Sequence, residues 1–118
     1  MDHDPRAYLW DVDQAARAIG TFTAGMDEAG YVANPLVRAA VERQFEIIGE
    51  ALNRLSKAAP PLAVRVPDLR EIVSFRNVLI HGYASIDHAR VWRIAETLLP
   101  SLREAVSTLL TELGQPEG

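Results

Sequence analysis

Cysteine is missing from all 118 residues. That excludes disulfides, thiolate nucleophiles and cysteine-ligated zinc or iron–sulfur sites. No apolar run approaches the roughly 20 residues that a helix needs to cross a bilayer. The opening MDHDPRAYLW is acidic and polar. It lacks the basic start and apolar stretch of a secretion signal, so a cytoplasmic location is expected and no membrane partner. There is no glycine-rich phosphate loop and no Gly-x-Ser-x-Gly nucleophile elbow. Aromatic residues make up only 7% of the chain; the apolar content is mostly Leu, Ile, Val and Ala, which favours packed helices over a sheet. The chain is too short for two independent cores, so one domain over residues 1–118 is expected.

Positive charge is also scarce, with a formal net charge of −4. That balance argues against a generic basic nucleic-acid binder. Its distribution is more informative. Residues 1–53 hold four basic against nine acidic side chains, residues 54–103 hold eight against four, and residues 104–118 add three glutamates. The middle segment is locally basic and suited to meet a polyanion on one face. Arg65, Arg70 and Arg90 are candidates to guide such a backbone.

Helical periodicity runs along the whole chain. Asp4-Pro5 and Asn34-Pro35 each read as a capping side chain followed by proline at the first helical position. Leu9, Val12, Ala16, Ile19 and Phe22 predict a buried stripe on a helix from Pro5 to about Ala24. A short turn is expected within Met26–Ala33. Val37, Ala40, Val41, Phe45, Ile48, Leu52 and Leu55 predict a long helix from Pro35 to about Lys57. Gly49 inside it marks a close approach of another helix. Pro60-Pro61 ends that helix and opens a connection. A third helix is expected from Pro67 to a stop at Gly82, with Leu69, Ile72, Val73, Leu79 and Ile80 on its apolar face. Asp87 caps a fourth, with Val91, Ala95, Leu98, Leu102, Val106 and Leu109 inward and Pro100 kinking or splitting it. The fold class is therefore all-α, an up-and-down helical bundle.

The segment SFRNVLIHGYASID, residues 74–87, concentrates the chemistry. Arg76, Asn77, His81 and Tyr83 surround the apolar Val78, Leu79 and Ile80. On a helix Asn77 and His81 share a face. Histidine moves protons near neutral pH, and arginine offers phosphate a planar fork that never loses its charge. Taken singly these residues have blander uses: Arg76 in a surface pair with Glu71 or Asp87, His81 satisfying carbonyls at a helix end, Tyr83 packing at a rim.

Taken together, RNVLIHGY resembles the motif of HEPN domains, and among them the HepT-like toxins of prokaryotic toxin–antitoxin pairs. Arg76 and His81 match the Arg–four residues–His core, Asn77 the polar residue after the arginine, and Tyr83 the extension. AVERQFEIIGEALNRLSK resembles the family's long second helix and IDHARVWRI its return helix. The resemblance implies a metal-independent endoribonuclease toxin of a type VII system, with no cofactor. It implies Arg76 and His81 as the catalytic pair, Asn77 in support, and a homodimer with both motifs in one cleft. It further implies an MNT-type nucleotidyltransferase antitoxin that adds AMP to Tyr83. The alternative is a non-catalytic helical interaction module, or a nucleotide-binding sensor, paired with such a nucleotidyltransferase.

Other features read as structural. His3 and His88 lack the ligand spacing of a metal site. Trp10 and Trp92 are expected to pack in the bundle or a dimer seam rather than stack on bases. Glu42, Arg43, Glu46, Glu50 and Arg54 form three- and four-residue pairs typical of solvated helix surface.

Overall fold

A computed structural model describes residues 4–82 and 86–114. Its elements are α1 (Pro5–Thr23), α2 (Glu28–Val32), α3 (Pro35–Ala58), α4 (Pro60–Ala63), α5 (Leu69–His81), α6 (His88–Thr97) and α7 (Leu99–Leu113), with no strand among the described residues. The fold is an all-α up-and-down bundle.

Local chemistry sets most of the boundaries. The Asp4 carboxylate accepts a hydrogen bond from the Arg6 amide at 3.0 Å, and Pro5 occupies the first turn of α1. Asn34 Oδ1 accepts from the Val37 amide at 3.1 Å, ahead of Pro35. Asp87 Oδ1 accepts from the Arg90 amide at 3.2 Å at the start of α6. Each cap satisfies one of the orphan amides that a helix N-terminus leaves open. The short turn anticipated before Asn34 is α2, capped by Asp27 Oδ1 on the Gly30 amide at 2.7 Å.

Three boundaries differ from the sequence expectation or sharpen it. The connection after α3 contains the one-turn helix α4, since proline suits a first helical turn as well as it ends a preceding helix. The third long helix begins at Leu69 rather than Pro67, because Asp68 sits in the left-handed region at φ 59°. Aspartate is among the few residues that tolerate that conformation. Pro100 splits the last pattern into α6 and α7. It has no amide to give the carbonyl four residues back, and its ring crowds that position; α6 closes with the Leu98 amide on the Ile94 carbonyl at 2.9 Å.

Helix α3 is the axis of the bundle. One side packs on α1 and another on α5; α1 also lies against α7, and α6 against α2 and α7. Leu9, Val12 and Ile19 of α1 meet Val41, Phe45, Ile48, Leu52 and Leu55 of α3 in a common core that α7 completes with Leu102, Val106 and Leu109. Each such side chain contributes roughly 1.5–3 kcal/mol by leaving water. Phe22, expected on the inner stripe of α1, is 38% exposed near the end of that helix, beyond the reach of the core. Two ring contacts tie elements together. Phe45 and Phe75 meet edge to face with centroids 5.4 Å apart, fastening α5 to α3, and Tyr31 lies 5.5 Å from Trp92, fastening α2 to α6.

Candidate active site

The site begins with a missing side chain. Gly49 faces α5, and a β-carbon placed there would lie 2.4 Å from Arg76 Cβ and 2.9 Å from its Cγ. Only glycine lets the two backbones come this close. The stem of Arg76 therefore runs directly over the α3 backbone. Its side chain is 26% exposed.

Two neighbours settle the guanidinium. Arg76 Nη2 lies 2.6 Å from Glu50 Oε2, and Nη1 donates to Asn77 Oδ1 at 3.2 Å. The other oxygen of Glu50 accepts from Arg54 Nε at 2.7 Å. Arg76 Nε is buried and meets no acceptor among the described residues. Arg54, Glu50, Arg76 and Asn77 thus form one chain of polar contacts from α3 to α5. The Glu50 carboxyl is held below its usual range, chiefly by the Arg54 hydrogen bond and further by the Arg76 charge, against the opposing effect of burial. It is ionised at neutral pH.

His81 is the last residue of α5 and is exposed. It lies five positions after Arg76, about 140° around the helix and roughly 7.5 Å along it. The two side chains therefore leave α5 from different sides. Asn77 closes that gap: it touches Arg76 and shares the exposed face of His81, one turn away. Tyr83 and His3 lie outside the described residues.

A cleft of about 510 Å³ lies between α5 and α6, with Arg70, Glu71, Ser74, Val78, Arg90 and Thr97 in its lining; Arg76, Asn77 and His81 do not line it. Arg90 lies with its guanidinium carbon 5.9 Å from the centre of the Phe75 ring, a cation–π distance. Arg65, the third basic candidate, is elsewhere and bound to Glu112 at 2.8 Å. Trp92 is buried in the core as expected, whereas Trp10 is 42% exposed.

Three of the five charged residues expected on a solvated face of α3 have tertiary partners instead, Arg54 among them through Tyr8 of α1. Glu50 holds Arg76, and Glu42 Oε2 lies 3.4 Å from His88 Nδ1 of α6. Burial raises the Glu42 carboxyl above its ordinary range despite the nearby His88 and Arg38. Sequence reasoning overlooked Glu50. Its position beside a mid-helix glycine was the available signal, because a glycine at a helix crossing brings its neighbours into reach of the other helix. No group of three or more His, Asp or Glu side chains among the described residues is placed to hold a metal ion.

Comparison with known proteins gives this geometry a setting. The family model described as Ribonuclease HepT-like matches residues 12–109. A Methanocaldococcus jannaschii protein named "Putative RNase MJ1380" is 34% identical over 103 residues, covering 87% of this chain and 94% of the relative. "Probable ribonuclease HepT" of Thermococcus cleftensis is 30% identical over 103 residues, covering 87% and 93%. "Putative RNase TTE0752" of Caldanaerobacter subterraneus subsp. tengcongensis is 30% identical over 106 residues, covering 90% and 94%. No solved structure matches the chain.

Proposed function

The chain belongs to the ribonuclease HepT-like family, and from that premise we propose that it is a metal-independent endoribonuclease with Arg76 and His81 as its catalytic pair. The observation that carries this reading is the arrangement on the last two turns of α5. A fixed guanidinium, the Asn77 amide touching it and the exposed ring of His81 follow one another along the helix.

The chemistry follows from these groups. The 2′-oxygen of a ribose attacks the adjacent phosphorus, forming the O2′–P bond of a cyclic phosphate while the P–O5′ bond breaks. One imidazole takes the 2′-hydroxyl proton and another delivers a proton to the departing 5′-oxygen. Arg76 offsets the charge that gathers on the non-bridging oxygens. Asn77 orients the phosphate or the ring beside it.

A single His81 cannot be both base and acid in one concerted step. A two-fold homodimer that faces the two exposed α5 surfaces toward each other supplies both. Asn77, Val78 and His81 are all exposed on that surface, with Val78 41% exposed. Sedimentation of the purified protein is expected to give a dimer; an active, strictly monomeric protein would rule the arrangement out.

Regulation and setting complete the reading. The enzyme acts as the toxin of a type VII toxin–antitoxin pair in the cytoplasm, and no helix among the described residues is long and apolar enough to cross a membrane. An MNT-type nucleotidyltransferase adds AMP to Tyr83, placing bulk and negative charge two residues beyond His81, where they repel RNA. Intact mass after co-expression is expected to show an adenylyl increment that Tyr83→Phe abolishes. The central test is cleavage of RNA in chelator-treated, metal-free buffer. His81→Ala is expected to lose roughly 10²–10⁴-fold, and Arg76→Ala a comparable amount; wild-type rates in both variants would overturn the assignment.

A further inference from the structure

We propose that Glu50 is a positioning residue for the reaction: it holds the Arg76 guanidinium in the orientation that leaves two N–H groups free for the phosphate. The inference rests on the catalytic role assigned to Arg76 above.

The donor count makes the case. A guanidinium carries five N–H groups in a rigid plane. One is given to Asn77 Oδ1 at 3.2 Å, the Nε–H is buried with no acceptor among the described residues, and Nη2 is ion-paired with Glu50 Oε2 at 2.6 Å. Nη1 and Nη2 keep further N–H groups beyond these contacts, enough for the two that a bidentate phosphate contact uses. Rotation about the last side-chain bonds would turn those two away. Glu50 opposes that rotation because its carboxylate is itself fixed. Arg54, one helical turn along α3, takes Oε1 at 2.7 Å while Oε2 serves Arg76. Gly49 contributes by placing the stem of Arg76 on the α3 backbone, within reach of the next residue's carboxylate.

The placement also explains why the carboxylate does not simply disable the arginine. Glu50 neutralises part of the charge, which weakens ground-state attraction for RNA. In exchange the arginine arrives pre-oriented, so no freedom is lost as charge builds on the phosphate. The expected signature is therefore in kcat more than in KM. Misplacement of a reacting group by about 1 Å can cost 10²-fold in rate.

The experiment is a double-mutant cycle on RNA cleavage with Glu50→Gln, Arg76→Ala and the pair combined, together with melting temperatures and NMR of the Arg76 side-chain N–H groups. Glu50→Gln is expected to lower kcat ten- to a hundredfold with little change in KM and to bring faster rotation and solvent exchange of the Arg76 Nη protons. In the Arg76→Ala background it is expected to add no further loss, since Glu50 acts only through Arg76; Glu50→Asp is expected to recover part of the rate. Additive losses, or an unchanged Arg76 spectrum, would overturn the positioning role. If Arg76→Ala cleaves as well as wild type, it is the catalytic assignment that fails; the Arg76 spectrum still reports whether Glu50 fixes the guanidinium.

Discussion

Replacing Gly49 with alanine tests the close approach of α3 and α5 at Arg76. In an exposed helix interior the change would stabilise, by about 1 kcal/mol, because alanine loses less backbone freedom. Here the new methyl would lie 2.4 Å from Arg76 Cβ, 2.9 Å from Cγ and 3.1 Å from Cδ. Carbon atoms prefer about 3.5–4.0 Å, so α3 and α5 must separate by about 1 Å. A β-carbon cannot swing aside as a side-chain tip can, and Phe75 is wedged on Phe45 beside it. Overpacking of this kind costs about 1–3 kcal/mol. Set against the helix-propensity gain of about 1 kcal/mol, the net loss is about 0–2 kcal/mol, or up to roughly 10 °C in Tm for a chain of this size. Gly20 is the matched control. It lies inside α1, and a β-carbon there would meet only Arg103 Nη1 at an ordinary 3.5 Å. Gly20→Ala is expected to raise Tm by a few degrees, on the order of 0.5–1 kcal/mol. Thermal unfolding followed by far-UV circular dichroism measures both. If Gly49→Ala rises as Gly20→Ala does, the reasoning about this crossing is wrong, and with it the account of how Arg76 reaches Glu50.

Further outcomes follow from single groups. The Tyr31 hydroxyl is fully buried without a hydrogen-bond partner among the described residues, so Tyr31→Phe is expected to stabilise by about 1 kcal/mol in denaturant melts; a loss of that size would show an unrecognised partner. Glu42 has its carboxyl pKa raised by burial. The folded state therefore binds that proton more tightly, and ionisation weakens folding as pH rises from the ordinary carboxylate range through the raised value. Glu42→Gln should then gain stability relative to wild type at neutral pH and lose that advantage in acid; an advantage independent of pH would contradict the burial argument. Asn34→Ala removes the cap on α3 and is expected to cost about 1 kcal/mol, checked by the urea midpoint.

Much of the fold is readable in the chain because the physics that sets it is local. Asp4, Asn34 and Asp87 cap helices through hydrogen bonds that span two or three residues, and the stripe at Val41, Phe45, Ile48, Leu52 and Leu55 records which side of α3 is buried. Pro100 marks a break for a reason contained in its own ring. Where local reasoning failed, tertiary context intervened. Phe22 continues the periodicity of α1 yet extends past its partners, and Pro67 offered a helix start that the left-handed backbone at Asp68 delayed.

The site divides along the same line. Arg76, Asn77 and His81 are identifiable from the sequence because they sit within two turns of one helix, and their spacing states which of them share a face. Glu50 was invisible as a partner: on its own helix it reads as one more exposed acid paired with Arg54 four residues on. Only the crossing of α3 and α5 at Gly49 brings its second oxygen to Arg76. A one-dimensional pattern records which face of a helix avoids water, whereas the distance and register between two helices depend on how side chains from both interlock. That is why the sequence alone determined the helices and the motif, and the packed structure alone decided what holds the arginine in place.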